Sequence, residues 1–143
     1  KKAHDILMEL DIPSQSYILS AHRVPEALKE TITRLDQEGT EVFIAGAGLA
    51  AHLPGVIASM TLKPVIGVPL KGALEGLDAL LSIVQMPKQI PVATVGINNA
   101  TNAGMLAAQI LAIKYPEVAQ RLVEYRKAMT ENFLLENNGK VEY

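Results

Sequence analysis

Cysteine is absent from the 143 residues of this chain. Its absence excludes a disulfide framework, a thiolate metal site and a cysteine nucleophile, and it fits a reducing compartment. The chain also lacks an apolar run near the ~18 residues of a membrane span, and its start does not resemble a signal segment. We therefore expect a cytoplasmic protein without a membrane partner.

Neither sign of charge is concentrated in the sequence, which carries a formal net charge of -2. Without a basic cluster, the chain offers no surface for a nucleic-acid backbone, and we expect no nucleic-acid partner. Apolar residues make up 49% of the chain and charged residues 20%, the composition of a globular protein rather than a disordered one. The length suits one buried core, so we expect a single domain over residues 1–143.

Short apolar segments alternate along the chain with longer segments of helical periodicity. This alternation predicts an α/β fold in which helices cover both faces of a parallel sheet, a three-layer α/β/α sandwich. The expected strands are residues 15–19, 41–45, 65–68 and 92–95. The expected helices are residues 1–10, 25–38, 50–63, 74–84, 102–114 and 116–135.

The chain opens directly in helical periodicity, with Ile6, Leu7 and Leu10 recurring on one side. A domain of this class ordinarily starts with a strand and a turn that lead into such a helix. We therefore expect that an N-terminal strand and its loop are missing from this sequence.

Loops that follow the expected strands form the candidate site, because ligands of parallel sheets bind where the strands end and helix N-termini arrive. These loops are residues 20–23, 46–52 and 96–102. The first combines the hydroxyl of Ser20, the imidazole of His22 and the guanidinium of Arg23, a set suited to a phosphorylated substrate with a proton shuttle beside it. On pattern alone, a surface residue or a salt-bridge partner for Arg23 and a helix cap for His22 are equally good interpretations.

Residues 46–51 satisfy the pattern G-x-G-x-x-A between a strand and a helix, which raises the hypothesis of a dinucleotide site. The acid that binds ribose in such sites is missing, since residues 69–71 read Pro-Leu-Lys, and Pro54 fits the motif poorly. At Gly46 and Gly48, main-chain N–H groups can still approach an anion closely. For His52 alone, a structural position at a helix N-terminus is the favoured interpretation.

The two loop histidines have no paired carboxylates nearby, so the sequence predicts no metal site. No nucleophile turn of the type G-x-S-x-G is present, so the sequence does not favour hydrolysis. Asp78 lies in an apolar helical segment, where a buried or interface carboxylate is at least as good an interpretation as a catalytic one.

Five segments stand in order along the chain: SAHRVP at 20–25, AGAGLAAHLPG at 45–55, PVIGVPL at 64–70, LLSIVQMP at 80–87 and NAGMLAAQIL at 102–111. Together they closely resemble the class I N5-carboxyaminoimidazole ribonucleotide mutases, and the similarity covers essentially the whole chain. The resemblance implies a flavodoxin-like fold, a homo-octamer and an isomerase of purine biosynthesis. It also implies that a first strand and a G-S-x-S-D loop of the family precede residue 1.

The resemblance assigns roles to residues of the strand-end loops. His22 resembles the catalytic histidine of the family, and Arg23 resembles its phosphate-binding arginine, with Ser20 and Ala21 beside it. The loop that encloses the substrate is matched by Gly46, Ala47, Gly48, Leu49 and His52.

The reaction implied by the resemblance converts N5-carboxyaminoimidazole ribonucleotide to 4-carboxy-5-aminoimidazole ribonucleotide without a metal or a cofactor. The carboxyl group leaves the exocyclic nitrogen as carbon dioxide, is held in a closed pocket and is recaptured by a ring carbon. A histidine then removes the ring proton, a task that suits imidazole because it titrates near neutrality.

Some positions depart from the family pattern. Leu49 stands where bacterial relatives commonly have glycine, Ala79 stands where serine is common, and the loop at 98–102 is shorter than in many members. The related class II enzymes carboxylate aminoimidazole ribonucleotide directly and lack the AAHLPG block, so residues 50–55 favour class I. The direct carboxylase and a non-catalytic nucleotide-binding domain remain the alternatives.

The last expected helix, residues 116–135, follows the final strand and carries Val118, Leu122, Tyr125 and Met129 at helical spacing. Packing within the chain and contact with neighbouring subunits are equally good interpretations of these positions. The octamer that the resemblance implies favours contact with neighbouring subunits.

Overall fold

The computed structural model describes residues 1–137, and residues 138–143 of the expected domain lie outside the described residues. The elements are α1 (Lys2–Glu9), α2 (Pro25–Gln37), β1 (Phe43–Ala47), α3 (Leu53–Ala58), β2 (Val65–Pro69), α4 (Leu77–Val84), β3 (Ala93–Thr94), α5 (Ala100–Ala112) and α6 (Pro116–Asn137). Strands and helices alternate through the middle of the chain, as the sequence predicts.

The described strands form one parallel sheet in the order β1-β2-β3. The pairing of β1 with β2 runs from Phe43 opposite Val65 to Ala47 opposite Pro69. All residues of β2 are buried, as expected for a central strand whose two faces both carry helices. The predicted parallel sheet is therefore confirmed.

Successive side chains of a strand point to opposite faces, and each face of this sheet has its own helices. Ile66 and Val68 pack with buried residues of α1, α5 and α6 on one face. Phe43, Ala45 and Val65 pack with α2 and α3 on the other, where α4 also contacts the sheet through a smaller cluster. This arrangement confirms the three-layer sandwich.

One expected strand is wrong. Residues 15–19 pair with none of the strands in the described part of the chain, and the side chain of Ile18 is fully exposed. Aromatic and β-branched residues favour an extended backbone, but a strand also requires a neighbour that supplies N–H and C=O partners. No described strand runs beside this segment, so it stays irregular.

Several boundaries also differ from the expected ones. Helix α3 begins at Leu53 rather than near residue 50, because Leu49 and Ala51 have φ of 56° and 43°, outside the helical region. Helix α4 begins at Leu77 rather than at residue 74 for the same reason, since Leu74 and Glu75 also have positive φ. Both changes lengthen the loops that follow β1 and β2.

Ion pairs connect the terminal helices to the rest of the fold. The guanidinium of Arg121 on α6 donates to the carbonyl oxygens of Leu10 and Asp11 at 3.3 and 3.2 Å, and it pairs with the Asp11 carboxylate at 2.8 Å. Lys114, just after α5, pairs with Glu41 at 2.6 Å, and this hydrogen bond lowers the pKa of the Glu41 carboxyl. These contacts join α6 to the end of α1, and the end of α5 to the segment that enters β1.

Helices α1 and α5 approach each other closely at Gly104. A Cβ atom on Gly104 would lie 2.2 Å from Cγ2 of Ile6 and 2.9 Å from the carbonyl oxygen of Ala3. The second of these atoms is backbone, which cannot rotate away. The packing of α1 on α5 therefore requires glycine at this position.

We predict that Gly104→Ala lowers the free energy of unfolding by about 2 kcal/mol, because the added methyl group separates α1 from α5. Urea denaturation followed by circular dichroism measures this change. A decrease in the free energy of unfolding would support the close approach, because replacing glycine by alanine inside a helix otherwise stabilises a protein by about 0.5–1 kcal/mol.

Gly55→Ala is the matched control, because Gly55 also lies within a helix but its nearest neighbour is a flexible side chain. A Cβ atom there would lie 3.1 Å from Sδ of Met86, which can rotate. We expect this variant to match or exceed the wild-type stability. Equal stability of the two variants would contradict the close approach at Gly104.

Candidate functional site

The loops after β1 and β2 lie together at one edge of the sheet, because the carboxyl ends of parallel strands share an edge. The Leu70 N–H donates to the carbonyl oxygen of Ala47 at 2.8 Å, which joins the two loops at their start. The loop after β3 joins them through Asn98, whose N–H donates to the carbonyl oxygen of Pro69 at 2.8 Å. This edge carries most of the predicted site residues.

His22 and His52 form a side-chain pair, although 30 positions separate them in the sequence. Nε2 of His22 lies 2.7 Å from Nδ1 of His52, and the rings meet edge to face with centroids 4.8 Å apart. His22 lies in the turn before α2, and His52 is the residue immediately before α3. The fold thus brings together the two histidines of separate predicted loops.

The short distance between these nitrogens limits where protons can be. One proton lies between Nε2 of His22 and Nδ1 of His52, so one ring donates and the other accepts. Two protons facing each other across 2.7 Å would break the bond. The pair can therefore pass one proton between its rings while both side chains remain exposed to solvent.

Ser20 and Arg23 form a tight turn around His22. Oγ of Ser20 accepts from the N–H of Arg23 at 3.3 Å, and the carbonyl oxygen of Ser20 accepts from the N–H of Val24 at 3.0 Å. Ala21 is half-buried in the turn and packs against the core beneath α2 and α3. The turn presents the side chains of residues 22 and 23 to solvent.

Two of the alternative interpretations, a helix cap for His22 and an ion pair for Arg23, do not match this geometry, whereas Arg23 is exposed as a surface residue would be. Helix α2 has Val24 at its N-cap position without a side-chain cap, so His22 is not a helix cap. The guanidinium of Arg23 forms no ion pair with a carboxylate anywhere in residues 1–137. An exposed guanidinium without a protein partner remains available to an anionic ligand.

The glycine-containing loop runs from the end of β1 to His52. A Cβ atom on Gly48 would lie 3.4 Å from the carbonyl oxygen of Leu70, so this position is tight but not closed to a side chain. Leu49 is largely exposed with φ of 56°, a conformation that favours glycine. The N–H of Ala51 donates back to the carbonyl oxygen of Gly48 at 3.0 Å, closing the turn.

Sequence reasoning overlooked the loop after β2, which also reaches this edge. The N–H of Lys71 donates to Oδ1 of Asn98 at 2.9 Å, and the Lys71 ammonium pairs with Glu75. The rule that ligands bind at strand ends applies to residues 70–72 as much as to the other loops and would have found them. This loop therefore adds a lysine to the candidate site.

The described residues contain neither a cluster of metal-binding side chains nor a helix that could span a membrane. No group of three or more histidine, aspartate or glutamate side chains in residues 1–137 is placed to hold a metal ion. Within the same part of the chain, every helix is too short or too polar to cross a bilayer.

Comparison with known proteins shows first the class of fold. The crystal structure of Treponema denticola PurE superimposes with a TM-score of 0.85, covering 99% of this chain and 89% of that chain, at 23% sequence identity. At that identity the likeness establishes the fold alone. The expected flavodoxin-like sandwich is confirmed.

Sequence similarity to a family model and to named relatives shows the family to which this chain belongs. The AIR carboxylase family model matches residues 1–132. The N5-carboxyaminoimidazole ribonucleotide mutase of Thermotoga maritima is 54% identical over 149 aligned residues, covering all of this chain and 87% of that protein. The protein of the same name from Pyrococcus horikoshii is 58% identical, covering 90% of this chain and 73% of that protein. This chain belongs to the AIR carboxylase family, and the resemblance found in the sequence is confirmed.

We predict that Leu49→Gly raises the free energy of unfolding by about 0.5 kcal/mol. Glycine removes the ~1–2 kcal/mol cost of a left-handed conformation at a residue with a Cβ atom, and its greater freedom in the unfolded chain offsets part of this gain. Thermal and urea unfolding measure the change. Leu49→Ala is the control, because alanine keeps the Cβ atom and should give no gain.

Proposed function

We propose that this chain interconverts N5-carboxyaminoimidazole ribonucleotide and 4-carboxy-5-aminoimidazole ribonucleotide where the turn at residues 20–23 meets the loop after β1. The observation that carries the proposal is the pairing of His22 with His52 beside the unpaired guanidinium of Arg23. The histidine pair can transfer a proton, and the guanidinium can hold a phosphate. Relatives of the chain that carry the mutase name support this choice of reaction.

Arg23 is proposed to bind the ribonucleotide phosphate. Its guanidinium has no carboxylate partner in residues 1–137, so a phosphate need not displace an existing ion pair. Guanidinium matches phosphate with two parallel hydrogen bonds, which fixes orientation as well as affinity. Ser20 supports the turn by accepting a hydrogen bond from the N–H of Arg23, and its hydroxyl can donate a hydrogen bond to the same phosphate.

His22 is proposed to move the proton. In the reaction, the C–N bond to the carboxyl group breaks, carbon dioxide leaves, and the nitrogen gains a proton. The ring carbon then forms a bond to carbon dioxide and loses its own proton. One proton is taken up and one is released, so a single imidazole can supply the first and accept the second.

His52 is proposed to position His22 and to enclose the substrate with the glycine-containing loop. The hydrogen bond between Nδ1 of His52 and Nε2 of His22 sets the ring orientation and the tautomer of the catalytic histidine. Gly46, Ala47, Gly48 and Leu49 belong to the end of β1 and the loop that leads to His52, where the two glycines allow main-chain N–H groups to face a carboxylate. Holding the fragments together replaces an encounter in solution.

The chain is also proposed to act in the cytoplasm as a homo-octamer. Helix α6 contacts α5, and its later part exposes Val123, Met129 and Leu135 to solvent. Apolar side chains that stay exposed along a helix favour contact with a neighbouring subunit. The proposal assigns residues 116–135 to that contact.

We predict that His22→Asn abolishes interconversion but leaves ribonucleotide binding largely intact, since asparagine cannot exchange a proton near neutral pH. Turnover is measured by the absorbance of the product, and binding by calorimetry with the decarboxylated ribonucleotide. His4→Asn is the control, because the ring of His4 contacts Ser14 at 2.7 Å rather than the site. Near-normal turnover in His22→Asn would show that another group moves the proton.

The same assay separates the mutase from the direct carboxylase. The wild-type protein is supplied with the carbamate substrate at low bicarbonate, where only the mutase forms product. Product that appears solely from aminoimidazole ribonucleotide and added carbon dioxide would identify the carboxylase.

We predict that Arg23→Ala weakens ribonucleotide binding by roughly 1.5–3 kcal/mol, the worth of hydrogen bonds to a charged group. Calorimetric titration measures the loss. Arg23→Lys keeps the charge without the paired hydrogen bonds and should give an intermediate affinity. Unchanged affinity in Arg23→Ala would place the phosphate elsewhere.

A further inference from the structure

Asn98 connects the loops after β2 and β3 through both its main chain and its side chain. Its N–H donates to the carbonyl oxygen of Pro69 at 2.8 Å, and its Oδ1 accepts a hydrogen bond from the N–H of Lys71 at 2.9 Å. The two bonded residues lie on either side of Leu70. The side chain of Asn98 has no part in the proton transfer or the phosphate binding proposed for the site.

The backbone conformation of Asn98 suits this double contact. Its φ of 60° lies in the left-handed region, which asparagine enters more readily than most residues with a Cβ atom. Asparagine combines this conformation with a side-chain oxygen that can accept a hydrogen bond from an N–H group. A residue without such an oxygen would leave the N–H of Lys71 without this partner.

The segment that Asn98 holds lies against the glycine-containing loop. A Cβ atom on Gly48 would lie 3.4 Å from the carbonyl oxygen of Leu70. Two residues further along the segment, a Cβ atom on Gly72 would lie 3.6 Å from Cδ2 of Leu49. These two contacts flank the one residue whose N–H is bound by Asn98, so the glycine-containing loop is supported on both sides of that bond.

The glycine-containing loop leads directly to the histidine pair. The N–H of Ala51 donates to the carbonyl oxygen of Gly48 at 3.0 Å, which closes the turn immediately before His52. Nδ1 of His52 lies 2.7 Å from Nε2 of His22. Hydrogen bonds weaken steeply as their geometry departs from the optimum, so a shift of this turn would break the pair.

We propose that Asn98 is a positioning residue of the candidate site. It fixes the main chain of Lys71, the residues on either side of Lys71 support the glycine-containing loop, and that loop holds His52 at hydrogen-bond distance from His22. The consequence for catalysis rests on the proposed function, because it concerns proton transfer by His22. The coupling between Asn98 and the histidine pair does not depend on that reaction.

The neighbouring Asn99 offers a matched comparison. It is the N-cap residue of α5, and its Oδ1 accepts a hydrogen bond from the N–H of Asn102 at 3.1 Å. Residue type, loop and kind of hydrogen bond are therefore the same at positions 98 and 99. Only the bond of Asn98 reaches the loop after β2.

Asn98→Gly tests the proposal by removing the side chain while keeping access to positive φ, which glycine adopts readily. NMR of the full chain without a substrate gives the chemical shifts of the imidazole nitrogens. These shifts differ between a nitrogen that carries a proton and one that accepts a hydrogen bond. We expect the wild-type shifts to be those of a hydrogen-bonded pair of His22 and His52, and the shifts in Asn98→Gly to be those of two imidazoles that bond to water.

Asn98→Asp and Asn99→Gly are the control variants. Aspartate keeps an oxygen that can accept from the N–H of Lys71, so Asn98→Asp should retain the wild-type shifts. Asn99→Gly adds the same flexibility to the same loop but removes only the bond to Asn102, so it should retain them as well. Circular dichroism verifies folding, and Asn98→Ala, which lacks the same oxygen, gives the answer if Asn98→Gly does not fold.

Kinetics and binding test the consequence for the proposed reaction. We expect kcat of the interconversion to fall roughly tenfold in Asn98→Gly, because a displaced proton-transfer group slows the reaction. Affinity for the decarboxylated ribonucleotide should stay within about twofold of the wild-type value, since the guanidinium of Arg23 is unchanged. Asn98→Asp should recover kcat.

Each outcome decides the proposal. A wild-type protein without the shared proton, unchanged ring shifts in folded Asn98→Gly, or an equal change in Asn98→Asp or Asn99→Gly would overturn the positioning. A normal kcat in Asn98→Gly would show that the positioning does not serve the reaction. An inactive wild-type protein whose ring shifts still respond to Asn98→Gly would reject the proposed function and leave the positioning of the histidine pair standing.

Discussion

The central strand β2 is the constraint on which the rest of the structure depends. Both faces of β2 carry helices, and both of its edges pair with parallel neighbours. A Cβ atom on Gly67 in this strand would lie 2.3 Å from Cγ2 of Ile83, so α4 can lie on the sheet only because glycine stands there. A larger side chain would displace α4 and the loop that precedes it.

The parallel pairing around β2 determines where the site can form. Strands that run in one direction end at one edge, and the loops after β1, β2 and β3 are joined there by backbone hydrogen bonds. Leu49, Leu74 and Asn98 in these loops adopt positive φ, which costs free energy that the surrounding contacts must offset. Backbone strain of this kind concentrates at functional sites, in agreement with the proposed role of this edge.

Strongly periodic segments were predictable from the sequence. Helix α2 begins at Pro25, ends before Gly39 with φ of 89°, and buries the periodic apolar residues Leu28 and Ile32. Residues 15–19 were not predictable in the same way. Their composition favours extension, but a strand also depends on a neighbour elsewhere in the chain, and local sequence does not encode that neighbour.

The sequence by itself determined the α/β class and the position of the loops at 46–52 and 96–102 after strands, because hydrophobic period and turn residues are local properties. It was wrong about residues 20–23, which follow no strand in the described part of the chain. Only the tertiary structure decided that His22 and His52 lie 2.7 Å apart and that the guanidinium of Arg23 lacks a carboxylate partner in residues 1–137. It also decided that Leu77 and Leu81 of α4 are about half exposed. These properties arise from contacts between segments distant in the chain, which form only when the whole core packs.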